Sequence, residues 1–207
     1  MASWSAENAT GAYLRAMKMI ESAKEPDVVA EFISALAAGN NAQLMVIVCS
    51  SAADSTTLAL VAAALQTGGQ VMCILPGLDE LHFSEIALGD YAMHVKFVIG
   101  DAENLLKNDY TESDCILIDC HLKNCQEILE TLQLIGRNNA IVMAYNACSV
   151  GSWMCLRGLK AHFWPMGAGR WLAFHSVVPC FGFDDTDHWR TVEYGEWSHQ
   201  LMLCLSL

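Results

Sequence analysis

Residues 43–65, QLMVIVCSSAADSTTLALVAAAL, decide the architecture. The run Met45-Val46-Ile47-Val48 is apolar at every position. That pattern belongs to a strand covered on both faces, as in a parallel sheet flanked by helices. The spacing predicts a strand over Leu44–Cys49, a tight turn of small residues over Ser50–Asp54, and a helix over Ser55–Leu65 with Asp54 or Ser55 as N-cap. Strand, tight turn and helix make the first unit of a doubly wound nucleotide-binding fold, where a ligand sits above the turn at the carboxyl ends of the strands. The glycines that usually mark such a turn are missing, so the stretch speaks for a fold more than for an activity.

Toward the N-terminus, residues 3–22 read as a helix whose apolar face is Trp4, Tyr13, Leu14, Met17 and Ile20, with Trp4 stapling it to the domain. Pro26 opens a second helix, Asp27–Ala38, and Gly39-Asn40 stops it. Toward the C-terminus, Gln70–Leu75 is a strand closed by Pro76-Gly77, followed by a helix over Leu78–Leu88. Strands then follow at Val95–Ile99, Cys115–Asp119 and Ala140–Tyr145, with helices over Ala102–Lys107 and Gln126–Leu134 between them. Strand–helix units recur about every 20–25 residues, which implies right-handed crossovers and a mostly parallel sheet. Ala161–Met166, a Gly-Ala-Gly turn and Trp171–Val178 read as a terminal antiparallel hairpin. Residues 1–178 thus form one three-layer α/β/α domain with two N-terminal helices within residues 1–40. Residues 179–207 are an extension whose mixture of acids, aromatics and an apolar end suits either an extra strand or a tail.

Composition narrows the function classes. Net charge is −12, from 23 acids and 11 bases, with no basic run. An acidic surface disfavours nucleic acid and anionic membranes as partners. No apolar stretch approaches the roughly 20 residues of a membrane span, and the first ten residues do not resemble a signal peptide. Nine cysteines are scattered through the chain, four of them (Cys49, Cys73, Cys115 and Cys148) in or beside strands. Such placement is that of reduced thiols acting as small hydrophobes, so the cytoplasm, or the nucleus, is the expected compartment.

Five strand–helix units, a closing hairpin and Gly100-Asp101-Ala102 after the third strand together resemble the Rossmann-like class I S-adenosylmethionine-dependent methyltransferases. In layout the small-molecule O-methyltransferases of the caffeoyl-CoA type are nearest. The stretches that carry the likeness are STTLALVAAAL (55–65), VKFVIGDAENLL (95–106), DCILIDCHLKN (114–124), AIVMAYN (140–146) and HFWPMGAG (162–169). The opening, WSAENATGAYLRAMKM and KEPDVVAEFISALAAGNNAQLMVIVC, also resembles a plant-specific family of unknown function. Together the likenesses cover roughly residues 1–172.

The resemblance implies S-adenosylmethionine as cofactor and a small oxygen nucleophile as methyl acceptor. It places the methionine part of the cofactor at Ser50, Ser51, Asp54 and Ser55, the ribose hydroxyls at Asp79, and adenine at Asp101 and Ala102. Asp119 and Asn146 would orient or deprotonate the acceptor, largely by proximity. Departures from the pattern are specific. The acid expected in the first strand is Val48, the turn glycines are Ser50 and Asp54, and the ribose acid is replaced by Leu75-Pro76-Gly77. Where the O-methyltransferases carry a second aspartate and an Asp-Asn pair as metal ligands, this chain has His121 and Tyr145-Asn146. One carboxylate and one amide make a poor magnesium site, so no divalent metal is expected.

Each candidate also has a plain structural role. Asp101 caps the following helix as readily as it meets adenine, and Ser50, Ser51 and Asp54 carry ordinary turn chemistry. Cys120-His121 with Cys125 has ligand residue types at the wrong spacing for a zinc knuckle. Two functions remain open: a small-molecule methyltransferase, and a catalytically silent member of the fold that senses a ligand or binds a protein. Fold alone does not choose between them, and a homodimer is compatible with either.

Overall fold

A computed structural model describes residues 4–20, 27–135, 140–146, 162–165 and 171–176. In chain order its elements are α1 (Ala6–Ile20), α2 (Val28–Gly39), β1 (Leu44–Val48), α3 (Ser55–Thr67), β2 (Gln70–Leu75), α4 (Leu78–Leu88), a 3-10 helix (Gly89–His94), β3 (Val95–Ile99), α5 (Ala102–Asn108), β4 (Cys115–Asp119), α6 (Cys125–Ile135), β5 (Ile141–Tyr145), β6 (His162–Pro165) and β7 (Trp171–Ser176). The strands join one sheet in the order β3-β2-β1-β4-β5-β7-β6. The first five run parallel, and β7 pairs antiparallel with both β5 and β6. This is the expected mostly parallel, Rossmann-like sheet with its closing hairpin.

The uninterrupted apolar strands explain the layering. Successive side chains point to opposite faces of a sheet. Met45, Ile47 and Cys49, with Val71, Cys73, Leu117 and Met143, pack under α1, α2 and α3. Val46, Val48, Ile74, Ile116, Ile118 and Val142 pack under α5 and α6. Both faces of β1 are therefore dry, which is why its pattern lacks alternation.

One expectation is corrected, and one element is added. In α1 the buried residues are Ala9, Ala12, Ala16, Met19 and Ile20, while Leu14 and Met17 are 50% and 38% exposed. Small alanines let α1 approach α2 and α3 closely, and that contact, not side-chain size, selects the face. The 3-10 helix at Gly89–His94 was not anticipated, since its residues carry no helical period. Trp4 does staple the N-terminus: its ring lies against Gly39, where an added Cβ would come within 2.3 Å of it. The hairpin strands are present, but the Gly-Ala-Gly turn, residues 177–178, Cys148 and the 179–207 extension fall outside the described residues.

Candidate functional site

In the order β3-β2-β1-β4-β5 the direction of winding reverses between β1 and β4, and ligands of open α/β sheets bind in the crevice at that point. The chain places Asp119 there. It ends β4, and it is only 4% exposed.

Its carboxylate accepts from three directions. Ser50, just past β1, donates both its backbone N–H (3.3 Å) and its hydroxyl to Oδ2, the latter through a short bond. His121 N–H donates to Oδ1 at 3.0 Å. Asn146, just past β5, donates its side-chain nitrogen to Oδ1 at 3.0 Å. To make that bond Asn146 adopts φ 59°, a left-handed conformation that asparagine tolerates better than most residues. The His121 ring closes the group, with Nδ1 3.5 Å from Asp119 Oδ1 and 3.3 Å from Asn146 Nδ2. A carboxylate offers about four lone-pair sites, and here four protein donors take them. Asp119 is thus a knot that ties the ends of three strands together, and the Ser50 bond runs directly across the β1–β4 crevice.

A second cluster lies beside it. Asp54 caps α3 by accepting from Thr56 N–H at 2.9 Å and from the Thr56 hydroxyl at 2.5 Å. Asp27 caps α2 by accepting from Ala30 N–H at 3.3 Å. It also accepts from the Ser55 hydroxyl at 2.5 Å, which joins the two helix starts. Desolvation raises the Asp54 carboxyl above its ordinary value; the Thr56 bonds oppose this and the charges of Asp27 and Asp119 reinforce it. Much of the residue's surface is nonetheless exposed. Among the described residues, Asp27, Val29, Asp54, Ser55, Thr56, Tyr145 and Asn146 line a cleft of about 60 Å³. Burial pushes the Tyr145 phenol far up, so it stays neutral.

The remaining candidates are dispersed. Asp101 caps α5, accepting from Asn104 N–H at 2.9 Å, and Ala102 is buried beneath it. Asp79 is exposed in the first turn of α4, and its side chain makes no hydrogen bond among the described residues. Ser51 is exposed in the turn. Asp27 escaped the sequence reading as a site residue. Its capping position was legible, but its partner Ser55 lies 28 residues away.

S-adenosylmethionine, which the resemblance implies, finds only part of its expected set among these residues. The strand-one position that carries an acid in the methyltransferases is the buried, apolar Val48. The Ser50–Asp119 bond spans the crevice, while the Gly100-Asp101-Ala102 turn is intact. No three His, Cys, Asp or Glu side chains among the described residues converge as a metal site.

A family profile described as "Protein of unknown function (DUF1442)" matches residues 1–162. The chain belongs to DUF1442. No curated protein matches this DUF1442 chain. Solved structures that share its fold include a methyltransferase from Podospora anserina bound to S-adenosylhomocysteine, with a TM-score of 0.58 at 14% identity, covering 83% of this chain and 89% of that one. An O-methyltransferase from Streptomyces achromogenes involved in tomaymycin synthesis, in complex with S-adenosylmethionine, gives 0.53 at 13% identity, covering 80% and 89%. A Staphylococcus aureus protein assigned provisionally as a caffeoyl-CoA O-methyltransferase gives 0.54 at 13% identity, covering 78% and 91%. At such identities the likeness establishes a methyltransferase-like fold. No helix among the described residues of this DUF1442 chain is long and apolar enough to cross a membrane.

Proposed function

We propose that this chain is a catalytically silent member of the methyltransferase fold, serving as a protein-interaction or ligand-sensing module. One observation carries the reading: the Asp119 carboxylate has every acceptor site filled by Ser50, His121 and Asn146. A group so occupied must give up one of these bonds before it can take a proton from an incoming hydroxyl. The surface supports a partner-binding role. Phe83 and Ile86, one turn apart on α4, are exposed, as are Leu78 and Met93. Exposed apolar area is what association with a partner leaves on a surface.

The alternative, transfer of a methyl group from S-adenosylmethionine to a small oxygen nucleophile, draws on a different observation. The backbone N–H groups of Ser51, Ala52, Asp54 and Ser55 donate to no protein atom among the described residues, and the Gly100-Asp101-Ala102 turn is intact. The two readings part in a transfer assay. Full-length protein is incubated with methyl-labelled S-adenosylmethionine and a panel of phenols and alcohols. The silent reading expects label in no product above a heat-denatured control, and catalytic turnover on any acceptor overturns it.

A further inference from the structure

We infer that Cys120 and Cys125 form a peroxide-sensitive dithiol that closes to a disulfide in the folded protein. The inference does not rest on the function proposed above. Cys120 follows β4 directly, and Cys125 is the first residue of α6. The five-bond turn between them brings the two sulfurs to 3.5 Å. A disulfide bond is about 2.05 Å long, so the sulfurs must close by about 1.5 Å, a motion within reach of a short turn. Neither residue is in a disulfide, and each is 5% exposed.

The surroundings favour Cys125 as the attacking sulfur. It stands at the N-terminus of an 11-residue helix, where backbone N–H groups stabilise a thiolate. Its S–H donates to the Cys120 sulfur. The neighbouring Cys120 thiol draws the Cys125 thiol below its ordinary value, against burial and the charge of Asp119.

The molecule contains its own control. Cys49, just past β1, and Cys73 of β2 bring their sulfurs to 3.7 Å, almost the same separation. They lie inside the core, at 2% and 0% exposure. The Cys73 hydrogen bond and burial push the Cys49 thiol well up. Sulfur proximity is common to both pairs; only the 120–125 pair joins it to a thiolate-favouring setting.

The chemistry balances with a hydroperoxide as the two-electron oxidant. The Cys125 thiolate attacks one peroxide oxygen, an S–O bond forms, the O–O bond breaks, and the leaving alkoxide or hydroxide takes up a proton. Cys120 then attacks the Cys125 sulfenic acid. The S–S bond forms, and hydroxide departs with the Cys120 proton as water. Two thiols lose two electrons, and the peroxide is reduced to an alcohol and water. The loop so closed contains His121, whose N–H holds Asp119, so oxidation acts directly on the strand-end knot.

The test is peroxide titration of the folded, full-length protein, followed by thiol blocking, digestion with trypsin and mass spectrometry. Lys123 lies between the two cysteines, so the bond joins two peptides, residues 108–123 and 124–137. The expected result is this linked pair, with fragments placing the bond at Cys120 rather than Cys115, at doses where Cys49 and Cys73 remain free. It disappears on treatment with a dithiol reductant. In Cys120→Ser the linked pair is lost and Cys125 is trapped as a dimedone adduct. A Cys49–Cys73 bond at the same dose, Cys125 bonded elsewhere, or Cys125 in wild type passing to sulfinic acid without the linked pair overturns the inference.

Discussion

Asp119 is buried, ionisable and satisfied entirely by protein donors, and each part of that description has a measurable consequence. Hydrogen bonds to a charged group are worth about 1.5–3 kcal/mol each. Asp119→Ala also strands donors of Ser50, His121 and Asn146. Urea unfolding is expected to show a loss of about 3 kcal/mol or more, while Ser50→Ala, which keeps the backbone donor, loses about 1 kcal/mol. Equal, negligible losses would mean that the knot does not form. Asp54 behaves differently. Its carboxyl is raised above the ordinary value in the folded state, so the folded protein holds that proton to higher pH than the unfolded chain. Its contribution is fullest below about pH 4, the unfolded value, and is lost as pH rises through the folded value. Asp54→Asn keeps an oxygen for Thr56 and is expected to flatten this part of the stability profile. The change is small, because solvent screens an exposed residue; a variant with an unaltered slope would contradict the assignment. At this scale the sequence was legible in residue type and blind to orientation. Asp101 and Asp119 stood out as polar residues at strand ends. The cap at Asp101, read beside an adenine contact, is present, but nothing showed that Ser50, 69 residues from Asp119, would occupy it.

Among the elements, local signals worked where one period or one cap dominated. β2 and β4 and the helix at Leu78–Leu88 match their expected bounds, because apolar runs ended by Pro-Gly or Asp leave little choice. α1 was misread at its face. A moment drawn through its large residues points away from the core, since two neighbouring helices demand alanine at the contact. Gly39 shows the same tertiary override. Propensity alone makes Gly→Ala stabilising inside a helix, by up to about 1 kcal/mol. Here the new methyl would enter the Trp4 ring. Gly39→Ala is therefore expected to lower stability by about 1–3 kcal/mol, with a shift in Trp4 fluorescence; a stabilised variant would show that Trp4 does not dock there.

On the scale of the whole molecule, the strand order is that of methyltransferase-like folds, and the family match spans residues 1–162. Order and layering were readable from the chain because both follow from continuous apolar strands alternating with helices. Which side chains meet across the crevice was not readable, because Ser50 and Asp119 follow or end strands separated by three crossovers. We propose that the Ser50–Asp119 bond obstructs the crevice in which the resemblance places the cofactor. The most direct test is calorimetric titration of the folded protein with S-adenosylmethionine and S-adenosylhomocysteine, with and without magnesium. The account predicts no saturable heat from either ligand. Micromolar binding, about −8 kcal/mol, that is abolished in Asp101→Ala would contradict it and restore the cofactor to the site.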